Sequence, residues 1–360
     1  MFPHNAYHAR NLALIAEEIQ KEIQKEINDS FKSPLEIKYL NIDNLHGEGI
    51  GQELSRLGLR EQEVFISSLF QSRKKINAII CMNDWSTIAK PIILIANILN
   101  IPTFGVVEGV QDFKDVYDYK RKRYPYTRVK YKLLTGEYDS TFFKDSRKTV
   151  VGVARIEKLV NEYRPPPVDE FKVLINLNFT YGVYTEFAQS WMNDTITACE
   201  KAKVNYRITQ HHSDDTICPK DKVSKAPIYD LLYSSHILVS RFSTCLLEAM
   251  ALKRPVIYFD NFGEEIDKFK DPMGAYPIAT NVEELTKSIV EIKDDYELFQ
   301  EKTQIFFSRH VSFNSEISSA KRSAEYIIKS IKENGSITLK ERGRYFVEEI
   351  KRILQIYSQK

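Results

Sequence analysis

Along most of the chain, short apolar runs alternate with segments of helical periodicity. Stretches such as AIICM (78–82) and FGVV (104–107) are apolar throughout rather than alternating, which fits parallel strands covered on both faces. In the first half the pattern predicts helix 8–27, strand 36–41, helices within 52–73, strand 76–82, helix 86–99 and strands 102–107, 132–135 and 149–153. Helical periodicity starts almost directly after Met1, where a domain of this kind ordinarily opens with a buried strand. In the second half the pattern predicts strand 171–179, helix 183–202, strand 204–210, a short helix 227–234, strand 236–240, helix 243–252, strand 255–260 and helix 281–293. Three further helices are predicted at 295–309, 314–333 and 341–358. In the last of these, Phe346, Ile350, Ile353, Leu354 and Tyr357 recur at helical spacing, as a core-facing stripe or a contact surface would.

The two halves meet at NEYRPPPVDE (161–170), where three consecutive prolines can continue neither a helix nor a central strand. The expected organisation is an N-terminal Rossmann-like domain (1–160), a proline-rich linker (161–170), a C-terminal Rossmann-like domain (171–310) and C-terminal helices (311–360). Two such halves predict an α/β fold of two doubly wound domains facing a cleft, with ligands beyond the C-terminal ends of the strands.

A length of 360 residues suits two domains, and 43% hydrophobic residues supply two cores. Lys plus Arg (51) nearly balance Asp plus Glu (49), so the net charge of +2 carries no footprint of nucleic-acid binding. Cys81, Cys199, Cys218 and Cys245 are scattered, with no metal-ligand spacing, as in a reducing compartment. With neither a signal-like start nor an apolar run of membrane-spanning length, the expected location is cytoplasmic.

The most informative stretch is HILVSRFSTCLLEAMALKRPVIYFD (236–260), which reads as strand, short polar turn, helix, strand. Arg241, Ser243 and Thr244 stand where a buried strand gives way to a helix N-terminus, whose free N–H groups and dipole favour phosphate. Glu248, four residues after Thr244, shares its helix face and could accept hydrogen bonds from ribose hydroxyls. In the bland alternative Ser243 is a helix cap and Glu248 a solvated residue. His211 and His212 end the strand before, followed by Asp214 and Asp215. Neighbouring residues of an extended chain point to opposite faces, which argues against joint metal ligation, so no metal is expected. Asn176, Asn178 and the segment 180–182 occupy the first strand-to-helix turn of this half, without a GxGxxG dinucleotide signature.

The segment SRFSTCLLEAMALKRPVIYF resembles the donor-binding segment of bacterial GT-B glycosyltransferases that build surface polysaccharides. Capsule and lipopolysaccharide transferases and the CDP-glycerol glycerophosphotransferases of teichoic acid synthesis carry similar S-S/T-x-x-x-E-A-x-x-x-x-x-P-V-I stretches. UDP-N-acetylglucosamine 2-epimerases carry them more distantly. The resemblance implies that Ser243 and Thr244 contact donor phosphates, that Glu248 contacts the ribose, and that His211 or His212 takes the place of a phosphate-contacting His. In VVGVARIEKL (150–159), Gly152, Arg155 and Glu157 loosely match another stretch of these proteins, which makes Arg155 a candidate for donor phosphate. No cofactor is implied, since the nucleotide-sugar is a substrate.

In the N-terminal half, PTFGVVEGVQDF (102–113) runs from a strand into a turn carrying Glu108, Gly109 and Asp112. The resembling proteins often show His-Gly there, and Glu108 stands in place of that His. An inverting transfer needs a base to deprotonate the acceptor hydroxyl, and a carboxylate suffices. Glu108 is the first candidate and Asp112 the second; a solvated turn is the plain alternative. The segment 115–132 interleaves five tyrosines with seven basic residues, among them Arg121, Arg123 and Tyr124. Such a segment suits an anionic glycan, a lipid-diphosphate acceptor or an anionic bilayer surface more than nucleic acid in a chain of near-zero net charge. The leading expectation is a metal-independent glycosyltransferase moving a sugar from a nucleotide-sugar donor to a surface-glycan or lipid-linked acceptor. The alternatives are a glycerophosphotransferase or a UDP-sugar 2-epimerase on the same fold, and a non-catalytic nucleotide-sugar-binding module.

Overall fold

The structure is a computed structural model that describes residues 1–26, 36–46, 49–63, 76–110, 113, 125–144, 146–167, 170–180, 183–211, 213–264 and 267–335. It divides into two compact units. The first comprises Met1–Glu108, Tyr124–Ala154 and Ser312–Lys360, and the second Gly109–Arg123 and Arg155–Val311.

In the first unit, β3 (Ile79–Cys81), β4 (Thr103–Val106), β5 (Tyr131–Leu134) and β6 (Lys148–Val150) form a parallel sheet in that order, and β1 (Tyr39–Asn41) pairs in parallel with β2 (Glu61–Glu63). Two residues link these sheets. Phe2 donates its N–H to Ile80 O at 2.7 Å and forms a parallel bridge with Cys81. On its other side, Leu40 N donates to Met1 O at 3.0 Å. Met1 and Phe2 therefore bridge the two sheets over two residues, too few to register as an apolar run. Counted through this bridge in chain order, the strands run 3-2-1-4-5-6-7, which begins as the dinucleotide-fold order does, with its reversal between Phe2 and β3.

Helix α1 (Ala6–Glu26) buries Ala9, Leu12, Ile15, Ala16, Ile19 and Ile23, one apolar stripe at 3.6-residue period. The last described helix, Ser319–Gly335, buries Ala320, Ala324, Ile327 and Ile328 and packs along α1. Arg322 Nη2 donates to Val151 O at 2.6 Å, and Ser312 N donates to Thr135 O at 2.8 Å. Helix 319–335 thus packs as part of the first unit, through contacts that its local sequence pattern does not encode. Gly152 has φ +84°, and a Cβ there would stand 2.2 Å from Ser312 O, so close backbone approach accounts for this glycine.

In the second unit, β7 (Lys172–Leu177), β8 (Asn205–Gln210), β9 (Ile237–Ser240), β10 (Val256–Phe259) and β11 (Ile278–Ala279) form a parallel sheet in the order β11-β10-β9-β7-β8. In chain order this is 5-4-3-1-2, the flavodoxin-like arrangement, with its reversal between β7 and β9. Trp191, on helix Ala188–Lys201, is fully buried and donates its indole N–H to Phe259 O at 2.8 Å. Arg254, 1% exposed, donates to Leu232 O, Arg164 O and Pro165 O, so the proline-rich stretch is fastened to this unit.

Most predicted strands and helices are present. Strand β2 falls within the segment 52–73 expected to be helical: helix Ile50–Arg56 ends early, and the polar EQE edge strand has no apolar pattern to announce it. The expected helix 341–358 lies outside the described residues. Among the described residues, no helix is long and apolar enough to cross a membrane.

Candidate functional site

Each sheet reverses its strand order once, and the loops beyond the strand ends at that point form a crevice in which doubly wound proteins bind ligands. In the second unit the reversal is cross-linked. Asn176 Nδ2 donates to Ser240 Oγ at 2.9 Å, and Asn178 Nδ2 to Phe242 O at 2.5 Å. The turn after β9 is held by Arg241, which is ion-paired with Glu264 and donates to Asn178 O at 3.1 Å. The Arg241 and Glu264 side chains are 4% and 0% exposed. Glu264 also accepts from Tyr258 OH (2.6 Å) and Phe242 N (3.2 Å). The rings of Phe179 and Tyr184 lie 4.8 and 5.6 Å from the guanidinium carbon. Arg241 therefore holds the turn with a sealed side chain. Glu264 is its buried counter-ion.

That turn delivers Ser243 in extended backbone (φ −162°, ψ 146°) as N-cap of helix Thr244–Ala251, its Oγ accepting from Cys245 N at 3.2 Å. Thr244 opens the helix, and its Oγ1 accepts from Val110 N at 3.4 Å. Gly109 (φ +139°) has no room for a Cβ, which would stand 2.6 Å from Thr244 Cγ2. Glu248 is 1% exposed, so the solvated reading of this residue does not hold. It is ion-paired with Arg155, and Tyr229 OH donates to its Oε1 at 3.5 Å. Two expected donor contacts, Arg155 and Glu248, thus meet as a charge pair on one side of the helix. Burial and the Glu248 carboxylate push the Cys245 thiol up to about 12, so it stays protonated.

His211 follows β8 and its Nδ1 accepts from Ser213 N at 3.2 Å; His212 lies outside the described residues. Asp214 is buried and accepts from Phe179 N (2.8 Å) and Thr216 N (2.9 Å), a loop-building role. Among the described residues no group of three His, Cys, Asp or Glu side chains is arranged to hold a metal ion.

In the first unit the reversal lies beside α1. Asn5 Oδ1 accepts from His8 N at 2.8 Å and so caps that helix. Glu108 follows β4; its carboxylate is 23% exposed, and Oε2 stands 2.5 Å from His8 Nε2. Tyr7 OH donates to Glu108 O at 2.7 Å. After β3, buried Asp84 accepts from Tyr126 N (2.7 Å), Arg128 N (2.7 Å) and Val129 N (3.3 Å). Burial raises the Asp84 carboxyl above the usual range despite these donors. Asp112, Arg121, Arg123 and Tyr124 lie outside the described residues. Of the same basic segment, Lys130 and Lys132 are buried, 8% and 5% exposed. Lys130 Nζ donates to Asn100 Oδ1 at 3.2 Å and Lys132 Nζ lies 5.4 Å from the Phe143 ring centre, so these two cations are not part of an exposed basic patch.

His8, Asp84 and Tyr229 were not legible as site residues. His8 sits in AYHAR, an ordinary helix start, and Asp84 in NDWS; only a polar cluster after the AIICM strand hinted at the latter.

The family described as CDP-Glycerol:Poly(glycerophosphate) glycerophosphotransferase matches residues 202–332, which include the turn and helix above. A search of curated protein sequences gave no match. Among solved structures, the chain is similar to the wall teichoic acid polymerase TagF, with 16% identity, TM-score 0.53, and 89% of this chain and 86% of that chain covered. It is similar to a putative UDP-N-acetylglucosamine 2-epimerase from Listeria monocytogenes, with 13% identity, TM-score 0.58 and coverage of 94% and 96%. It is also similar to a UDP-GlcNAc 2-epimerase from Neisseria meningitidis bound to UDP-GlcNAc, with 14% identity, TM-score 0.57 and coverage of 92% and 98%. These are GT-B fold proteins, and the chain shares their fold.

Proposed function

We propose that this chain is a transferase that takes a glycosyl or glycerophospho group from a nucleotide-linked donor and delivers it to a surface-glycan or lipid-linked acceptor. The observation that carries the reading is the capped helix Thr244–Ala251 at the β7/β9 reversal, with Ser243 and Thr244 at its N-terminus and Glu248 one turn on. Free N–H groups, a positive dipole end and two hydroxyls suit a diphosphate. A buried carboxylate beside them suits vicinal ribose hydroxyls once Arg155 turns its guanidinium to the phosphates. Glu108, partly exposed beyond β4, is the base for the acceptor hydroxyl. The family match over 202–332 favours a glycerophospho group over a sugar.

A thermal-shift panel of CMP, CDP, CDP-glycerol, UDP and UDP-N-acetylglucosamine tests the donor site, on wild type and Glu248→Ala. A ligand that binds only the folded state raises its melting temperature, by about 2.7 kcal/mol of stabilisation at a hundred times Kd. One nucleotide series should give a shift that Glu248→Ala loses. CMP release from CDP-glycerol in the presence of acceptor identifies glycerophospho transfer, and UDP release from a UDP-sugar identifies glycosyl transfer. No shift with any of the five would sink the reading.

A further inference from the structure

The first unit brings a histidine onto the proposed base from a hundred residues away in sequence. The direction of the 2.5 Å contact between His8 Nε2 and Glu108 Oε2 follows from the other ring nitrogen. Nδ1 of His8 accepts from the backbone N–H of His4 at 3.2 Å. An accepting Nδ1 carries no proton, so in neutral His8 the proton is on Nε2 and is donated to the carboxylate. Both ring nitrogens are then used inside the protein. The His8 side chain is 3% exposed against 23% for Glu108, so only the glutamate offers a polar atom outward.

We infer that His8 is a positioning residue for Glu108: its Nε2–H pins Oε2 and leaves Oε1 as the oxygen that receives the proton of the acceptor hydroxyl. This rests on the transferase reading above. Two further bonds fix the frame, Asn5 Oδ1 accepting from His8 N and Tyr7 OH donating to Glu108 O, so ring, helix start and strand end are tied together. A carboxylate free to rotate would present either oxygen in many directions; one held on Oε2 presents Oε1 in one. The step balances without a relay. The acceptor O–H bond breaks and its proton goes to Oε1. The acceptor oxygen bonds to the transferred carbon or phosphorus, and the nucleotide leaves with the electron pair of the bond that held it. His8 keeps its proton throughout and still donates to Oε2 of the neutral acid.

The test compares His8→Leu, His8→Gln, Glu108→Gln and the double variant His8→Leu/Glu108→Gln, reading nucleotide release and, separately, the nucleotide-induced thermal shift. Glu108→Gln should lower kcat about a hundredfold or more, as removal of a general base does. His8→Leu should lower kcat about tenfold, a typical cost of losing a group that orients a reacting one, with the thermal shift retained. His8→Gln, whose amide can still donate to Oε2, should recover most of the rate. The double variant should be no slower than Glu108→Gln, because His8 acts only through the carboxylate. In the nitrogen-15 NMR spectrum of the wild type, one imidazole should show a protonated, slowly exchanging Nε2 that Glu108→Leu loses. Wild-type kcat in His8→Leu, additive losses in the double variant, or a protonated Nδ1 would overturn the inference while leaving the donor reading intact. Absence of any nucleotide shift or release in the wild type would overturn the transferase reading, and with it this role for His8.

Discussion

The two units solve the same topological problem with different chemistry. Where strand order reverses in the second unit, the loops are locked by a buried ion pair: Arg241 and Glu264, sealed under aromatic rings. In the first unit the corresponding loops are held by directional bonds to a carboxylate: Asp84 gathers three backbone N–H groups, and Glu108 takes one bond from His8. A charge pair without solvent access is rigid but costly to expose. A partly exposed carboxylate with one oxygen engaged keeps the other available. On the proposed transferase reading, the difference suits a unit that grips an anion with fixed backbone and a unit that exchanges a proton.

The largest effect is expected at Glu264. Glu264→Gln leaves the Arg241 charge buried without its counter-ion, and equilibrium urea unfolding should show a loss of about 3–5 kcal/mol. A loss near zero would mean that the pair does not lock the turn. Asp84→Ala is the matching cut in the first unit. It orphans three N–H groups but relieves a carboxylate whose raised pKa shows that burial already weighs against it, so the expected loss is smaller, about 2–3 kcal/mol by the same measurement.

Acid sharpens the contrast. His310 is 1% exposed, and burial, with Lys268 and Arg309 nearby, pushes its pKa down from 6.5 to about 2. The unfolded chain binds a proton there below pH 6.5 that the folded unit refuses. Stability from His310 is therefore complete above pH 6.5 and falls by about 1.4 kcal/mol per pH unit as pH drops toward 2. Asp84, raised instead of lowered, acts with the opposite sign: it takes up a proton more readily folded than unfolded, so acid does not weaken the first unit through it. Hydrogen exchange at pH 7 and pH 5, corrected for intrinsic rates, should show the second unit losing about 2 kcal/mol of protection, and His310→Phe should cancel that loss. The smallest effect is expected at Ser243→Ala, where one capping bond goes and thermal unfolding should report about 1 kcal/mol.

The same contrast explains what could be read from the chain. The turn proposed to hold the donor is contiguous: β9, Ser243, Thr244, Glu248 and β10 lie within 25 residues, so periodicity and capping chemistry reveal it. In the first unit residue 8 meets 108 and residue 84 meets 126 through contacts distant in sequence, and His8, Asp84 and Tyr126 have no local signature. Glu108 was identifiable by its place at a strand end; its partner was not, because nothing within AYHAR marks His8 as different from a solvated helix residue. Arg241 has a partner that the sequence does not announce. Its position beside the helix N-terminus suggests a phosphate ligand, yet Glu264, 23 residues on, claims the guanidinium. The link between the two first-unit sheets escaped because Met1 and Phe2 bond to β1 and β3 over only two residues.

The packing of helix 319–335 along α1 also bears on how the chain acquires its fold. The second unit, apart from 109–123, is one continuous stretch from Arg155 to Val311. The first unit is completed by a helix made about 300 residues after the one it covers. During synthesis, α1 leaves the ribosome about 300 residues before the helix that packs along it, so that contact forms only after the second unit has been made. The unit whose first helix is translated earliest is therefore the one whose packing closes last along the chain, over a loop of about 300 residues.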